Sequence, residues 1–205
     1  MTRISLTTVT ILAASGLMLA ACSREADAPP ADNGDMAMTN DMMAGNDMSA
    51  NATAGAPQSF AITGADGASL GSVALAEDAA GLTMNVTASG MPAGVHGIHL
   101  HEKGLCEGPK FASAGAHWNP GMKKHGRDNP AGAHFGDLAN LDVAANGTAS
   151  VSIPLQGAMM ASGAMMLADA DGTALVVHAK PDDYKTDPSG DSGDRIACAV
   201  VAGGR

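Results

Sequence analysis

The sequence predicts an all-β fold of about eight short antiparallel strands, arranged as a sandwich or barrel. Glycine accounts for 26 of the 205 residues and aromatic residues for only 2%, while the apolar runs are short and separated by turn residues. These features are typical of an all-β protein, since helical bundles rarely carry so much glycine. A chain of this length is expected to form one domain with appendages.

Seven segments after residue 57 have the pattern of strands. They are residues 59–63, 69–76, 82–88, 94–102, 148–154, 173–179 and 196–202. Three pairs, Asp66-Gly67, Asn146-Gly147 and Asp171-Gly172, are predicted to form turns, because glycine adopts the positive φ that hairpins need. Two long irregular stretches, 103–138 and 180–195, interrupt the pattern, and loops of that length in a compact domain are usually functional.

The N-terminus predicts export and lipid anchoring. An apolar stretch from residue 4 ends at Leu19-Ala20-Ala21-Cys22, which resembles the bacterial lipobox, where the signal is cut before a cysteine that becomes lipid-modified. We expect residues 1–21 to be a lipoprotein signal peptide and Cys22 the lipidated residue. The protein would then face the periplasm from the bacterial cell envelope, with Ser23 favouring the outer membrane over the inner. A plain signal peptide or an uncleaved helix is the alternative, although the stretch would span a membrane poorly.

Residues 22–57 predict a disordered tether, since they lack the aromatic and β-branched runs that a core requires. The domain proper is therefore expected to cover residues 58–205. Five methionines lie among the aspartates of the tether: Met36, Met38, Met42, Met43 and Met48. Thioethers bind Cu(I), so copper collection by the tether is one hypothesis, and a spacer without that role is the other.

Charge and cysteine usage narrow the functional classes. The formal net charge is −10 and no basic run exists, which argues against a nucleic-acid partner because such proteins neutralise phosphates with Lys and Arg. With Cys22 assigned to lipid, Cys106 and Cys198 remain as an even pair in an oxidising compartment, and a disulfide is expected. Two free thiols or two metal ligands are the alternatives.

The histidines predict a metal site. None of the seven precedes residue 96, and six of them fall between residues 96 and 134. His99 and His101 form an HxH pair on a predicted strand, whose period of two puts both rings on one face, about 6 to 7 Å apart. His178, at the end of another strand-like run, is the natural ligand to complete that site.

A second set of ligands lies in the first long irregular stretch. It comprises His117, His125, His134 and Asp137, and three imidazoles with one carboxylate suit tetrahedral zinc. The HxH pair alone is a weak signal, because cupins and zinc hydrolases carry it too. A cupin would need a glutamate closer to the pair than Glu107, and an HxHxD hydrolase would need aspartate where Lys103 stands.

Five motifs together resemble those of the copper-zinc superoxide dismutases: HGIHLHEKGLC, AGAHWNPGMKKHG, AHFGDLANL, LVVHAKPDDY and GDRIAC. The resemblance covers about residues 58–202. It implies an eight-stranded antiparallel Greek-key barrel or sandwich with a metal-binding loop and an electrostatic loop. It also implies an oxidoreductase that converts two superoxide anions to oxygen and hydrogen peroxide by cycling copper between Cu(II) and Cu(I), protecting the cell envelope.

The resemblance also implies a role for each site residue. Copper is expected at His99, His101, His117 and His178, and zinc at His117, His125, His134 and Asp137, so that His117 bridges both metals and takes part in catalysis. Asp182 is expected to hydrogen-bond His99 and His125, with Asp183 as a solvated alternative, and His96 to lie outside the coordination sphere. Arg195, three residues before Cys198, is expected to bind the substrate anion. The lysines that would attract superoxide are Lys123, Lys124, Lys180 and Lys185.

Two other functions remain as alternatives at this point. An envelope copper-binding or carrier lipoprotein on the same fold, or a zinc-only scaffold, would be expected to have lost copper ligands or the arginine. This chain retains His99, His101, His178 and Arg195, which favours the enzyme. A homodimer and a monomer are both compatible with the sequence.

Overall fold

A computed structural model describes residues 57–79 and 81–205. The predicted signal peptide, the lipidation site Cys22 and the predicted tether up to residue 56 lie outside these residues. Within them, no helix is both long enough and apolar enough to cross a membrane. The described residues contain nine strands and one 3-10 helix: β1 Gln58–Gly64, β2 Ser69–Asp78, β3 Gly81–Ser89, β4 Gly94–His96, β5 Ile98–His101, the 3-10 helix Ala112–Ala114, β6 Leu141–Val143, β7 Thr148–Gln156, β8 Gly172–His178 and β9 Arg195–Gly203.

Seven of the strands form one antiparallel sheet in the order β5-β8-β9-β1-β2-β3-β7, and β4 pairs with β6 in a second sheet. The all-β prediction is confirmed. Strands β2 and β3 alternate buried and less buried residues, as strands with one face on a core do. Inward-facing residues such as Val73, Leu75, Met84 and Val86 belong to the main hydrophobic core.

Strand β8 differs because all seven of its residues are buried. Leu175 and Val177 pack into the main core, whereas Ala174 and Val176 pack into a second apolar cluster with Phe111 on the opposite face. Side chains alternate between faces along a strand, so β8 has the core on one side and the long irregular segment on the other. The neighbouring β5 is likewise fully buried.

The predicted strand 94–102 is divided at Gly97. The Gly97 amide donates to the Lys180 carbonyl at 2.8 Å, and its own carbonyl accepts from the His178 amide at 2.8 Å, so Gly97 leaves the regular ladder. The three-residue β6 was not predicted, since so short a segment has no readable period. The predicted turn glycines Gly67, Gly147 and Gly172 do adopt positive φ, at 85°, 80° and 74°.

Two long segments without strands lie where they were predicted. We call residues 102–140 the first long loop and residues 179–194 the second long loop. A disulfide joins Cys106 of the first long loop to Cys198 of β9, with 5.7 Å between their Cα atoms. This confirms the predicted pair and excludes free thiols or metal ligation at these two residues.

Candidate metal centre

The HxH pair lies on β5 facing the long loops. Ile98 and Leu100 point into the main core, so His99 and His101 point to the other face, as the period of a strand requires. Their ring centroids are 6.4 Å apart, which agrees with the predicted spacing. Antiparallel pairing of β5 with β8 brings in His178, whose ring centroid is 4.7 Å from that of His99.

The first long loop brings the remaining ligands to β5 by pairing with it. Isolated bridges join His101 to His117 and His99 to Asp137. Around them, the Trp118 amide donates to the Leu100 carbonyl at 2.8 Å. The first long loop lies so close to β5 at Gly136 that a Cβ on this glycine would collide with the Leu100 carbonyl oxygen. Backbone hydrogen bonds therefore position His117 and Asp137 before any metal is considered.

The four-histidine cluster consists of His99, His101, His117 and His178, whose ligand atoms all lie within 4.8 Å of one another. Within the described part of the chain, one buried nitrogen of each ring has no hydrogen-bond partner: His99 Nδ1, His101 Nε2, His117 Nε2 and His178 Nε2. Buried polar atoms are seldom left unpaired. Unpaired imidazole nitrogens gathered at one point fit a metal ion of the kind that imidazole binds.

The other nitrogen of each ring is held by the protein. His101 Nδ1 lies 3.0 Å from the Gly115 carbonyl, and His178 Nδ1 lies 3.2 Å from the Gly193 carbonyl. A carbonyl only accepts, so each of these nitrogens carries the proton and the inner nitrogen of a neutral ring offers its lone pair. The hydrogen bonds thereby fix the tautomer that a metal site requires.

The three-histidine–aspartate cluster consists of His117, His125, His134 and Asp137. The Nδ1 atoms of the three histidines lie 2.9, 3.0 and 3.1 Å from Asp137 Oδ1, in that order of residue number. The Nδ1 atoms of His117 and His134 are 3.4 Å apart. A tetrahedral zinc ion with bonds of roughly 2.0 Å has ligand atoms about 3.3 Å apart, so the four atoms fit such an ion.

His117 belongs to both clusters. Its Nδ1 faces Asp137 Oδ1 at 2.9 Å, and its Nε2 is among the unpaired atoms of the four-histidine cluster. Oδ2 of Asp137 accepts from the Gly126 and His134 amides at 2.8 and 3.0 Å, which turns Oδ1 towards the rings. One imidazole can therefore serve two metal ions through its two nitrogens.

Asp182 connects the clusters from behind. Its Oδ2 is 2.8 Å from His99 Nε2 and its Oδ1 is 3.0 Å from His125 Nε2. The carboxylate is fully buried, and Gly190 packs against it so tightly that a Cβ there would collide with Oδ1. A carboxylate that accepts from the outer nitrogen of each ligand fixes both ring orientations. Asp183, the alternative, is exposed and instead accepts from the Thr186 amide.

Burial keeps three rings of the four-histidine cluster neutral, those of His101, His117 and His178. Desolvation, reinforced by the neighbouring His117, lowers the pKa of His101 to about 2. Desolvation together with the nearby His99 lowers the pKa of His178 to about 3. Desolvation also lowers the pKa of His117 to about 4, against the opposing hydrogen bond to Asp137. Neutral imidazole is the form that binds a metal ion.

His125 behaves in the opposite way. Burial acts to lower its pKa, but the two carboxylates outweigh burial and raise the pKa to about 9: Asp137, whose Oδ1 is 3.0 Å from His125 Nδ1, and Asp182, which is hydrogen-bonded to Nε2. Burial would raise the pKa of the two carboxyls, yet their hydrogen bonds to histidine hold both pKa values below the ordinary range. Without metal, a protonated His125 between two carboxylates is the form expected at neutral pH.

This difference predicts how zinc affinity depends on pH. In protein stripped of metal, His125 must lose its proton before zinc can bind, so binding at pH 7 releases one proton. The affinity for zinc should rise about tenfold per pH unit from pH 7 towards 9 and level off above the His125 pKa of about 9. Titration against a chromophoric chelator, corrected for the chelator's own protonation, measures this slope.

Copper provides the control for that titration. The pKa values of His101, His117 and His178, about 2, 4 and 3, lie far below pH 7. Copper binding should therefore release no proton from these three rings between pH 7 and 9. A zinc affinity that stays constant over the same range would contradict the protonated His125.

Arg195 lies beside the four-histidine cluster at the start of β9. Its Nη1 and Nη2 donate to the carbonyls of Phe111 and Gly115, each at 2.7 Å. Gly115 is also the partner of His101, so one carbonyl positions both side chains. A cleft of about 430 Å³ is lined by Gly115, Ala116, His117, His178, Pro188, Ser189, Gly193 and Arg195. Apart from the two histidines, this lining consists of Pro188, small residues and one cation, Arg195.

Other residues singled out from the sequence lie outside the two clusters. His96 is outside both clusters, with its ring nitrogens 2.8 and 2.9 Å from the carbonyls of His178 and Pro92. Lys124 pairs with Asp187 at 2.9 Å on the surface. Sequence reasoning missed Asn140, whose side chain holds the backbone of Asp182 on both sides. Its only signal was its place in the quoted motif AHFGDLANL.

Comparison with known proteins agrees with this geometry. The family model described as Copper/zinc superoxide dismutase (SODC) matches residues 69–201. Superoxide dismutase [Cu-Zn] of Caulobacter vibrioides is 43% identical over 139 residues, which cover 66% of this chain and 80% of that protein. Superoxide dismutase-like protein YojM of Bacillus subtilis is 40% identical over 141 residues, covering 67% of this chain and 72% of that protein.

Solved structures show the same likeness. A SOD-like protein from Bacillus subtilis superposes with a TM-score of 0.68 at 35% identity, covering 71% of this chain and 99% of that chain. The Cu/Zn superoxide dismutase from Brucella abortus superposes with a TM-score of 0.56 at 29% identity, covering 71% of this chain and 99% of that chain. With the family model matched across most of the domain, the chain belongs to the copper/zinc superoxide dismutase family.

Proposed function

We propose that this protein is a superoxide dismutase that uses copper and zinc. The observation that carries the proposal is one buried imidazole, His117, shared between the four-histidine cluster and the three-histidine–aspartate cluster beneath a cleft that contains Arg195. The named copper-zinc superoxide dismutases among the relatives support it. The overall reaction consumes two superoxide anions and two protons and yields oxygen and hydrogen peroxide.

The donor sets assign the metals. Four imidazole nitrogens suit copper, and three imidazoles with one carboxylate suit zinc. We therefore assign copper to the four-histidine cluster and zinc to the three-histidine–aspartate cluster. Copper, when bound, supplies the one-electron redox chemistry between Cu(II) and Cu(I), which zinc lacks. The protein's own residues bind the anion, orient it and deliver protons.

Arg195 is the anion-binding residue in this proposal. A guanidinium has five N–H groups, and two of its nitrogens already donate to fixed carbonyls, so the side chain is anchored. The N–H groups left over can bond a small anion in the cleft, and charge-assisted hydrogen bonds of this type are strong. Ala116, Ser189 and Gly193, which also line the cleft, are small and leave space for a diatomic substrate beside Arg195.

His117 is the proton carrier. Its Nδ1 is directed at the proposed zinc site, 2.9 Å from Asp137 Oδ1, so Nε2 is the atom at which a proton would be gained and lost. Nε2 lies in the four-histidine cluster beneath the cleft that contains Arg195, so a proton held there would be close to a bound anion. Such a residue supplies one of the two protons of hydrogen peroxide without a separate acid.

Lysines near the cleft are proposed to attract superoxide to an acidic protein of net charge −10. Lys180 suits this role best, since its stem lies about 3.4 Å from the Cβ position of Gly193, a cleft residue. Lys124 suits it less well because Asp187 pairs with it.

The envelope location is a separate proposal based on Cys22. Cleavage after residue 21 and lipidation of Cys22 would hold the domain at a membrane through roughly 0.8 kcal/mol per buried methylene. Mass spectrometry of the mature protein from a bacterial membrane fraction tests this. An N-terminus other than a diacylglyceryl-modified Cys22 would remove the anchor from the proposal, together with the envelope-protecting role.

A copper carrier is the second candidate, favoured by the relative named as superoxide dismutase-like. To decide between the two, the full chain is loaded with copper and zinc, its metal content is measured, and superoxide decay is followed by pulse radiolysis. If the protein is a superoxide dismutase, we expect one copper and one zinc per chain and a rate of superoxide decay proportional to protein concentration. A fully loaded protein that does not accelerate decay, yet passes copper to an acceptor chelator, would refute the enzyme. Sedimentation of the same sample distinguishes a homodimer from a monomer.

A further inference from the structure

Tyr184 joins the two long loops next to Asp182. The guanidinium carbon of Arg127 lies 3.7 Å from the centroid of the Tyr184 ring, close enough for a cation to be attracted by the face of the ring. Arg127 stands two residues after His125 in the first long loop, and Tyr184 stands two residues after Asp182 in the second. The stack therefore links the segment that carries a proposed zinc ligand to the segment that carries the connecting carboxylate.

Other atoms of Tyr184 make three further contacts. Its hydroxyl oxygen accepts from the backbone amide of Asn140 at 2.8 Å, and the backbone amide of Tyr184 donates to Asp182 Oδ1 at 2.7 Å. Its carbonyl accepts from the Asp128 amide at 3.0 Å. Tyr184 adopts φ of 62°, a conformation that a bulky residue keeps only where its surroundings determine it.

Asn140 extends this arrangement to the backbone of Asp182. Its Nδ2 donates to the Asp182 carbonyl at 3.0 Å, and its Oδ1 accepts from the Asp182 amide at 2.9 Å. Asp182 is thus held at its backbone by Asn140 and at its carboxylate by the Tyr184 amide. The same carboxylate accepts from His99 and His125, so Asp182 connects Tyr184 to one residue of each cluster.

We propose that Tyr184, stacked under Arg127, is a positioning residue that keeps Asp182 oriented between the two metal sites. The inference rests on the zinc assignment proposed above. If Tyr184 served only to pack against its neighbours, its apolar ring would be sufficient. The hydroxyl that accepts from Asn140 and the cation on the ring are the features that packing does not use, and they can be removed one at a time.

The test uses the full-length protein loaded with copper and zinc. Tyr184→Phe removes the hydroxyl, Arg127→Gln removes the cation, and Arg127→Lys retains a cation over the ring. Lys103→Gln, at an exposed position of the same loop, is the control for loss of one positive charge. Zinc affinity is measured by chelator competition, and the Cu(II) site is observed by electron paramagnetic resonance.

We expect the zinc dissociation constant of Tyr184→Phe and Arg127→Gln to rise about tenfold, as substitutions that disturb the partners of ligands commonly do. Arg127→Lys should stay within about twofold of the wild type, and Lys103→Gln should not differ from it. Because Asp182 also holds His99, the copper hyperfine splitting of Tyr184→Phe should shift, while that of Lys103→Gln should not.

Two results would overturn the proposal. The first is wild-type zinc affinity and an unchanged copper spectrum in both Tyr184→Phe and Arg127→Gln, even if both melt at lower temperature. The second is equal impairment of Arg127→Gln and Arg127→Lys, which would remove the role of the cation. Circular dichroism checks folding, and exposed Arg127 carries the test if Tyr184→Phe does not fold. Failure of the wild type to bind zinc would instead overturn the zinc assignment.

Discussion

Replacing His101 with alanine is expected to remove superoxide dismutation and copper while leaving one zinc per chain. His101 belongs only to the four-histidine cluster and is completely buried, so the substitution removes one of the four imidazoles and leaves the other cluster complete. Residues that merely orient a ligand cost about 10- to 100-fold when substituted. Loss of a ligand should therefore lower kcat/KM by more than about a hundredfold.

The choice of His101 matters for this experiment. His99 also contacts Asp182 and His117 belongs to both clusters, so their substitution would disturb zinc as well. His134→Ala is the reciprocal variant, because His134 belongs only to the three-histidine–aspartate cluster. It should lose zinc and keep copper. Metal analysis and pulse radiolysis of both variants give the result, and a His101→Ala protein with wild-type activity would show that copper does not act at this cluster.

Replacing Cys106 with serine is expected to lower the free energy of unfolding by about 4 to 5 kcal/mol. The disulfide to Cys198 spans a sequence separation of 92 residues, and in the chain-entropy model a cross-link over that distance strongly restricts the unfolded chain. Cys198 is 1% exposed within the apolar cluster that contains Phe111. In the serine variant the free thiol of Cys198 therefore stays buried in this cluster. Denaturant unfolding of the metal-stripped protein, with m-values compared, measures the loss.

The same substitution should reduce activity in fully metallated protein. The carbonyls of Phe111 and Gly115 that anchor Arg195 lie in the segment that Cys106 fixes to β9. Wild-type protein treated with a thiol reductant provides a comparison that involves no substitution and should behave like the variant. If the free energy of unfolding fell by less than about 1 kcal/mol in both the Cys106→Ser variant and the reduced wild type, packing and not the disulfide would hold this segment.

Much of the fold could be predicted because strand periodicity and glycine turns are local signals. The HxH pair illustrates this, since alternation along β5 alone places His99 and His101 on one face. The division of that strand at Gly97 could not be predicted, because it depends on hydrogen bonds to Lys180 and His178, some 80 residues away in the sequence.

In the site, as in the fold, residue types and local motifs could be predicted from the sequence, whereas contacts between residues distant in the chain could not. Histidines and carboxylates have distinctive chemistry, so the members of both clusters were identifiable from residue type and motif. Asn140 and Tyr184 lie within two of the quoted motifs, but their hydrogen bonds to residues distant in sequence follow from no residue type or spacing, so their contacts could not be predicted. Lys124 shows the reverse case, since a lysine suited to attract an anion turns out to be paired with Asp187.

Because His117 offers one nitrogen to each cluster, the two metals cannot bind as independent ligands. Thermodynamic reciprocity requires that any factor by which bound zinc changes the affinity for copper be matched by the factor by which bound copper changes the affinity for zinc. The fraction of half-loaded protein is then set by that coupling constant, by the affinity of each cluster for its metal and by the free concentrations of both metals. A shortage of zinc would consequently alter copper occupancy at any constant copper concentration that does not saturate the site.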